Sequence, residues 1–129
     1  QMQAVGAKVL SGHEDIANVR ITFADKSICN LTASRISNRF MRKIRIFQEN
    51  AYVSIDYLKQ DIVLYKKSGA KISREKVKVK KVNALQEELR SFAQCVRERT
   101  RRVVAGEDGR AALRLALDIS AQIHAFIYG

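Results

Sequence analysis

The feature that most constrains this chain is a change of hydrophobic period near residue 83. Before that point apolar and polar residues alternate in successive short runs, and after it the apolar residues recur with helical spacing. Alternation is typical of half-buried strands, and the longer period indicates helices with one apolar side. Strands first and helices last predict an α+β fold: an open, largely antiparallel β-sheet with two C-terminal helices packed on one face.

The strands are predicted from the alternating runs and the turn residues between them. Asp25-Lys26 makes a short turn, so the runs on either side of it are expected to pair as an antiparallel hairpin. Six strands are predicted at residues 17–23, 27–36, 42–48, 51–57, 60–66 and 75–82, and residues 4–10 are a candidate for a seventh. The run EKVKVKKV (75–82) has its lysines on one side, which suits an exposed edge strand.

Two helices are predicted after residue 83. The first begins at Ala84, with Asn83 as its N-cap and Gln86 placed as in a capping box. The second follows the loop VVAGEDG and runs from about residue 108 to residue 127, with Asp108 as its N-cap. Because only a narrow polar stripe interrupts its Ala, Leu and Ile residues, it is expected to be covered on most sides. The apolar stripe of the first helix, expected to be buried, consists of Leu85, Leu89, Phe92 and Val96.

Length and composition bound the organisation of the chain. Its 129 residues fit a single domain, 1–129, and 47% apolar with 29% charged residues is typical of a globular protein. Cys29 and Cys95 lie far apart without CxxC spacing, which indicates two buried thiols in a reducing cytosol. No apolar run has the length of a membrane span and no signal peptide is recognised, so we expect a cytoplasmic protein. Since the first residue is Gln1, the chain is expected to be a piece of a longer one.

The sequence contains no recognisable motif for catalysis, cofactor binding or metal binding. Its six glycines form neither GxGxxG nor a P-loop. His13 in HED has no second histidine at helical spacing, and His124 is better interpreted as a packed residue of the second helix. GEDG, residues 106–109, lacks the ligand spacing of an EF-hand loop. We therefore expect no catalytic, cofactor-binding or metal-ligating residue in residues 1–129.

The charge of the chain leaves more than one class of partner open. The formal net charge of +11 attracts nucleic acid, anionic lipid or phosphorylated small molecules without selecting among them. In LTASRISNRFMRKIRIFQ, residues 31–48, the cations follow strand alternation and the turn between strands. Aromatic residues are few and no RNP-like signature is present. A basic sheet is the favoured interpretation, and a free-standing basic domain that binds nucleic acid or an acidic partner is the alternative.

Three segments carry a resemblance to a known family. They are HEDIANVRITFADKSICNLTASRIS, MRKIRIFQENAYVSIDY and ELRSFAQCVRERTRRVVAGEDGRAALRLALDI. Together they resemble the C-terminal domain of the Gfo/Idh/MocA oxidoreductases, over residues 4–127. The core LTASRIS, RKIRIFQ and AYVSIDY is similar to a narrower bacterial subgroup that resembles sugar-nucleotide dehydrogenases acting on UDP-N-acetylglucosamine-type substrates.

The resemblance implies a parent enzyme in which a Rossmann domain binds NAD or NADP and hydride moves between the nicotinamide and a sugar carbon. In the family this transfer is helped by a Lys in a Glu-Lys-Pro motif and by an Asp-x-x-x-His pair. The first motif is missing because the chain has no proline, and the second is missing because neither histidine has an Asp four residues before it. Residues 1–129 are thus expected to be inactive alone and to provide substrate binding and dimerisation, as a homodimer through the open sheet face. A free-standing adaptor that kept the fold without the enzyme stays an open alternative.

Three arginines, Arg35, Arg39 and Arg42, are the candidate substrate contacts. The pyrophosphate of a sugar nucleotide needs cationic donors, and Arg is well shaped for bidentate phosphate contacts. Arg35 is placed at a strand end on an apolar face, where a charge needs a partner, and the other two flank the following turn. The alternative is that all three are solvated or pair with acids such as Glu49 and Asp56.

Overall fold

The computed structural model describes residues 1–128, in which seven strands precede two helices. The strands are β1 (Met2–Ala7), β2 (Ile16–Thr22), β3 (Ile28–Ser34), β4 (Lys43–Phe47), β5 (Ala51–Asp56), β6 (Asp61–Ser68) and β7 (Lys71–Val77), and the helices are α1 (Ala84–Glu98) and α2 (Gly106–Tyr128). All strand pairs are antiparallel and join neighbours in sequence. The predicted α+β class with C-terminal helices is confirmed.

The strands form two sheets rather than the single sheet that we predicted. One contains β1–β3 and the other β4–β7. The chain accordingly divides into two compact units. Unit 1 consists of residues 1–38 with the chain from residue 101 onward, and unit 2 consists of residues 39–100. That the 129 residues act as one domain stays a prediction.

Unit 1 has a small core where α2 packs against β1. The strand register places Ala4 beside Val19, and Ile123 of the helix, 1% exposed, covers both. Ile119 and Ile127 lie one turn before and after on the same side of the helix and are partly buried. Within residues 1–128, α2 is covered only along this stripe. We expected from the sequence that it would be covered on most sides, and the described residues do not do so. The large apolar residues of α2 that are more than half exposed are Leu113, Leu117 and Phe126.

A glycine permits the close approach of α2 to the sheet. A Cβ atom placed on Gly6 would lie 2.6 Å from Cγ2 of Ile123 and 3.1 Å from the carbonyl oxygen of Ile16. The first distance is too short for two carbon atoms that are not bonded. Residue 6 must therefore lack a side chain for the isoleucine to reach the sheet.

Unit 2 has no buried residue in its range 39–100. Its sheet has one side that we call the apolar face, which carries Ile44, Ile46, Val53, Ile55, Ile62 and Leu64. The stripe of α1 that we expected to be buried is exposed, with exposed fractions from 54% at Phe92 to 64% at Leu85. The amphipathic pattern was predicted correctly, but unit 2 does not bury it.

The last strand begins four residues earlier and ends five residues earlier than predicted. Gly69 adopts a left-handed conformation, with φ of 59°, and makes a tight turn that pairs Ser68 with Lys71. β7 therefore ends at Val77, and the second half of the predicted strand 75–82 leaves the sheet.

Both helix starts are fixed by side chains. Asn83 caps α1 as predicted, its Oδ1 accepting the backbone N–H of Gln86 at 3.1 Å. Asp108 is not the N-cap of α2, because the helix begins at Gly106. Its Oδ2 accepts the backbone N–H of Ala105 at 2.8 Å from within the first turn, where a carboxylate also suits the positive end of the helix.

Neither helix of the described chain has the combination of length and apolar character that a membrane crossing requires.

Candidate functional site

Asp15, directly before β2, organises the loop between β1 and β2. It is 3% exposed, and its Oδ2 accepts backbone N–H groups from Val9 at 2.8 Å, Leu10 at 2.7 Å and Ser11 at 2.9 Å. Its Oδ1 accepts the Ser11 hydroxyl at 2.9 Å. These donors, with Val9 first, hold the pKa of the Asp15 carboxyl far below its ordinary range. At neutral pH the residue is thus a charged acceptor that fixes the loop.

Arg35 completes this network from the end of β3. Its Nε donates to Oδ1 of Asp15 at 2.7 Å, and a terminal nitrogen donates to the Ser11 hydroxyl. The backbone N–H of Arg35 also donates to the carbonyl oxygen of Asp15 at 3.0 Å. The prediction that this cation needs a partner is met by Asp15 rather than by Glu49 or Asp56. The side chain is still 54% exposed, so part of the guanidinium faces water.

Arg39 and Arg42 lie in unit 2, on the segment that leads into β4. Within residues 1–128 no hydrogen bond or ion pair joins either side chain to another residue. The carbonyl oxygen of Arg42 accepts the backbone N–H of Tyr57 at 2.8 Å, which fixes its main chain against the end of β5. Because Arg35 belongs to unit 1, the structure describes the three arginines in two separate units. Their role as substrate contacts stays a prediction.

The two histidines, which lie at opposite ends of the sequence, line one cleft of unit 1. The cleft has a volume of about 150 Å³, and its walls are Lys8, Gly12, His13 and Glu14 from the β1–β2 loop with His124 and Ile127 from α2. Imidazole and ammonium groups on such walls are suited to hydroxyl and anionic oxygens. From sequence neither histidine was assigned a role, and no local spacing links them. Among residues 1–128 no three His, Cys, Asp or Glu side chains form a group able to hold a metal ion.

The fold of the chain is similar to that of one part of a solved sugar-nucleotide dehydrogenase. Two solved crystal forms of the UDP-N-acetylglucosamine 3-dehydrogenase GnnA from Acidithiobacillus ferrooxidans match it with TM-scores of 0.88 and 0.89. Each match has 28% sequence identity and covers 98% of this chain and 40% of the solved one. The matched segment is the C-terminal part of that enzyme.

The comparison of sequences finds a similarity to the same kind of enzyme. No family model matches the chain. A UDP-N-acetylglucosamine 3-dehydrogenase from Acidithiobacillus ferrooxidans is 26% identical to it over 132 residues, which cover 98% of this chain and 42% of that relative. The chain thus spans about two fifths of the length of the proteins that it matches. The resemblance to the C-terminal domain of such an oxidoreductase, stated from the sequence segments, is confirmed.

Proposed function

We propose that residues 1–129 are the substrate-binding and dimerisation part of an NAD(P)-dependent oxidoreductase of the Gfo/Idh/MocA type that acts on a sugar nucleotide. The observation that carries the proposal is the match in fold and sequence, over 98% of the chain, to a UDP-N-acetylglucosamine 3-dehydrogenase. A match over 98% of the chain at 28% identity supports a common type of substrate.

In this proposal the hydride transfer belongs to the parent enzyme and not to residues 1–129 alone. When bound in the parent, NAD or NADP would accept the hydride that leaves a sugar carbon while the hydroxyl on that carbon loses its proton. The present chain contributes a wall of the substrate site and a subunit interface. The inactivity of the isolated chain and its cytoplasmic location are further predictions.

The apolar face of the second sheet is the proposed dimer surface. On the edge strand β4 its residues Ile44 and Ile46 are 46% and 44% exposed, and on β5 and β6 they are partly buried. Exposing a connected set of isoleucine, valine and leucine side chains is unfavourable in water. A second copy rotated by a two-fold axis would cover this face with the same residues, which is the commonest solution for a soluble oligomer.

The three candidate arginines are expected to contribute differently. Within residues 1–128 no side-chain donor of Arg39 or Arg42 is paired, so these two are the stronger of the three candidates for the substrate pyrophosphate. Arg35 already donates from Nε to Asp15, and its first contribution is to fix the β1–β2 loop. Its exposed terminal nitrogens still allow it to contact a ligand.

The protein encoded by the whole reading frame that contains residues 1–129 provides the test. We expect it to reduce NAD or NADP in the presence of UDP-N-acetylglucosamine, followed by the absorbance of the reduced nicotinamide. Arg39→Gln and Arg42→Gln should each raise KM for the sugar nucleotide about tenfold and leave KM for the nicotinamide unchanged. Lys78→Gln, which removes an exposed cation between β7 and α1, is the matched control. Failure to reduce either nicotinamide with any UDP-sugar would overturn the proposal.

A further inference from the structure

Three aromatic side chains form a continuous stack across the second sheet. Phe47 on β4, Tyr52 on β5 and Tyr65 on β6 are register partners on the side opposite the apolar face. The Phe47 and Tyr52 ring centroids are 4.6 Å apart with planes at 9°, and those of Tyr52 and Tyr65 are 5.2 Å apart with planes at 18°. These distances are close to the strand spacing of about 4.8 Å. The rings of this aromatic stack therefore lie face to face along the direction of the interstrand hydrogen bonds.

One end of the aromatic stack is open. β4 is the first strand in the order of its sheet, so no strand of unit 2 lies beyond Phe47. Phe47 is 74% exposed, although one face of its ring is stacked on Tyr52. At the other end, Arg74 of β7 is the register partner of Tyr65. A further planar ring can extend the stack at Phe47 without moving any strand of unit 2.

The acidic groups on this side of the sheet are already paired with lysines. Lys43 contacts Asp56 at 3.3 Å, and Lys76 contacts Asp61 at 3.2 Å. The Asp56 carboxylate also accepts the backbone N–H of Lys59 at 3.0 Å, which with Lys43 lowers its pKa. These pairs lie at the far ends of β4 and β7, and Glu49 in the turn 48–50 is an acidic residue of the cleft beside the stack.

Arg45 lies near the open end of the stack, whereas Lys67 belongs to β6, two strands away from Phe47. Arg45 is two residues before Phe47 on the same side of β4, about 7 Å along the strand. In the described part of the chain its side chain has no hydrogen-bond or ion-pair partner. Lys67, the three stacked rings and the turn 48–50 are among the walls of an open cleft of about 160 Å³. An exposed π face beside an arginine that has no partner within residues 1–128 is suited to a flat ring joined to a phosphate.

We propose that the open end of the aromatic stack binds the nucleobase of a nucleoside phosphate, with the base stacked on the outer face of Phe47 and the phosphate contacted by Arg45. The choice of ligand rests on the proposed function, which supplies a pyrimidine nucleoside diphosphate joined to a sugar. Cross-strand packing explains the contacts between the three rings. It does not explain why the stack ends in an exposed ring beside an arginine without a partner.

Titration of the 129-residue chain with UDP, followed by NMR, tests the proposal. We expect saturable shifts at residues 45–52 and 65–67. Uridine, which lacks the phosphate, and ribose 5-phosphate, which lacks the base, should each bind about tenfold more weakly. Phe47→Leu, which keeps an apolar side chain but removes the π face, should weaken UDP binding about tenfold, and Phe47→Tyr should preserve it. Phe40→Leu is the matched control, because Phe40 is fully exposed outside the stack.

Three outcomes would overturn the proposal. The first is equal UDP affinity in the wild type and in Phe47→Leu. The second is that the NMR shifts at the stack depend on the protein concentration and not on the nucleotide concentration. That result would assign the stack to a contact between copies. The third is an affinity for oligouridylate that increases with its length and becomes much higher than the affinity for UDP. That result would assign the stack to the binding of single-stranded nucleic acid.

Failure of the stacking site and failure of the proposed function are distinguishable. If the full-length enzyme oxidises a UDP-sugar and Phe47→Leu leaves its KM unchanged, the stacking site is wrong and the proposed function stands. If the full-length protein has no dehydrogenase activity while UDP still binds at Phe47, the stacking site stands and the proposed function is wrong.

Discussion

The two sheets of this chain have equally regular alternation but differ in what covers them. In unit 1, α2 packs on β1 and buries Ala4, Val19 and Ile123. In unit 2, residues 39–100 include no buried side chain, and Ile44 and Ile46 are nearly half exposed. Alternation therefore determines which side of a sheet is apolar, and the topology determines whether the same chain covers it. Where it does not, the apolar side is available to another chain.

The difference has an energetic consequence. Complete burial of an isoleucine contributes about 1.5–3 kcal/mol, which unit 1 gains at Ile123. A cross-strand side-chain pair contributes about 0.2–1 kcal/mol, and pairs of this kind with the backbone ladder hold the sheet of unit 2. We expect unit 2 to be the less stable unit until its apolar face is covered.

The largest effect is expected from truncating the one isoleucine that is completely buried. Ile123→Ala should destabilise the protein by about 3 kcal/mol, because it removes buried contacts and leaves a cavity between α2 and β1. The matched change Ile44→Ala in unit 2 should cost less than about 1 kcal/mol at low protein concentration. Urea denaturation of both variants measures the difference. Equal losses would contradict the contrast between a covered and an uncovered sheet.

A second effect concerns pH and the loop of unit 1. In the folded protein the N–H donors around Asp15 lower its pKa, so the folded state binds this proton less readily than the unfolded state. The stabilisation is complete above the ordinary carboxyl pKa and is lost as the pH falls below it toward the folded value. The melting temperature of the wild type should decline below about pH 4.

Asp15→Asn should be less stable than the wild type at neutral pH and should change less on acidification. The gap between the two melting temperatures therefore narrows below about pH 4. Glu49→Gln, which removes an exposed carboxylate from the β4–β5 turn of unit 2, is the control and should follow the wild type. Parallel curves for the wild type and Asp15→Asn would show that Asp15 does not carry this dependence.

A smaller, local effect is expected at the entry to α1. Gln60 holds Val82 with two hydrogen bonds of 2.8 Å, its Nε2 donating to the carbonyl oxygen and its Oε1 accepting the backbone N–H. Gln60→Ala should cost about 1 kcal/mol for the pair and accelerate amide exchange at Val82. Gln94→Ala, on the exposed side of α1, is the control. Unchanged exchange at Val82 would show that this contact does not order unit 2.

Local structure was largely predictable from the sequence. Alternation and turn residues located β2 to β6, because both signals are local, but β1 was only a candidate and the predicted last strand shares three residues with β7. The N-cap Asn83 was found from its position before an apolar stripe. The start of β7 is set by Gly69, whose left-handed turn pairs Ser68 with Lys71. The strand had been predicted four residues later from the alternation of residues 75–82. The division into two sheets could not be predicted, since it depends on whether β3 and β4 pair, and no local pattern encodes that.

The Asp15–Arg35 pair illustrates why the site was harder to predict. Residues on β2 and β3 face each other when their numbers sum to 50, as Ile16 and Ser34 do, which places Asp15 opposite Arg35. This register follows from a three-residue connection in which Phe23 and Ser27 pair and Lys26 is left-handed. The predicted strands 17–23 and 27–36 leave the same three residues between them, but the sequence did not fix the register. A shift of one residue changes which side chains face each other.

Sedimentation equilibrium of the 129-residue chain tests the central claim most directly, namely that a second copy covers the apolar face of unit 2. We expect the wild type to sediment with twice the mass of one chain. Ile46→Lys places a charge on the apolar face at an edge strand and should sediment as a monomer with an unchanged circular dichroism spectrum. Lys78→Gln, outside the sheet, should remain dimeric. A wild type that stays monomeric at every concentration, or an Ile46→Lys variant as dimeric as the wild type, would contradict the account.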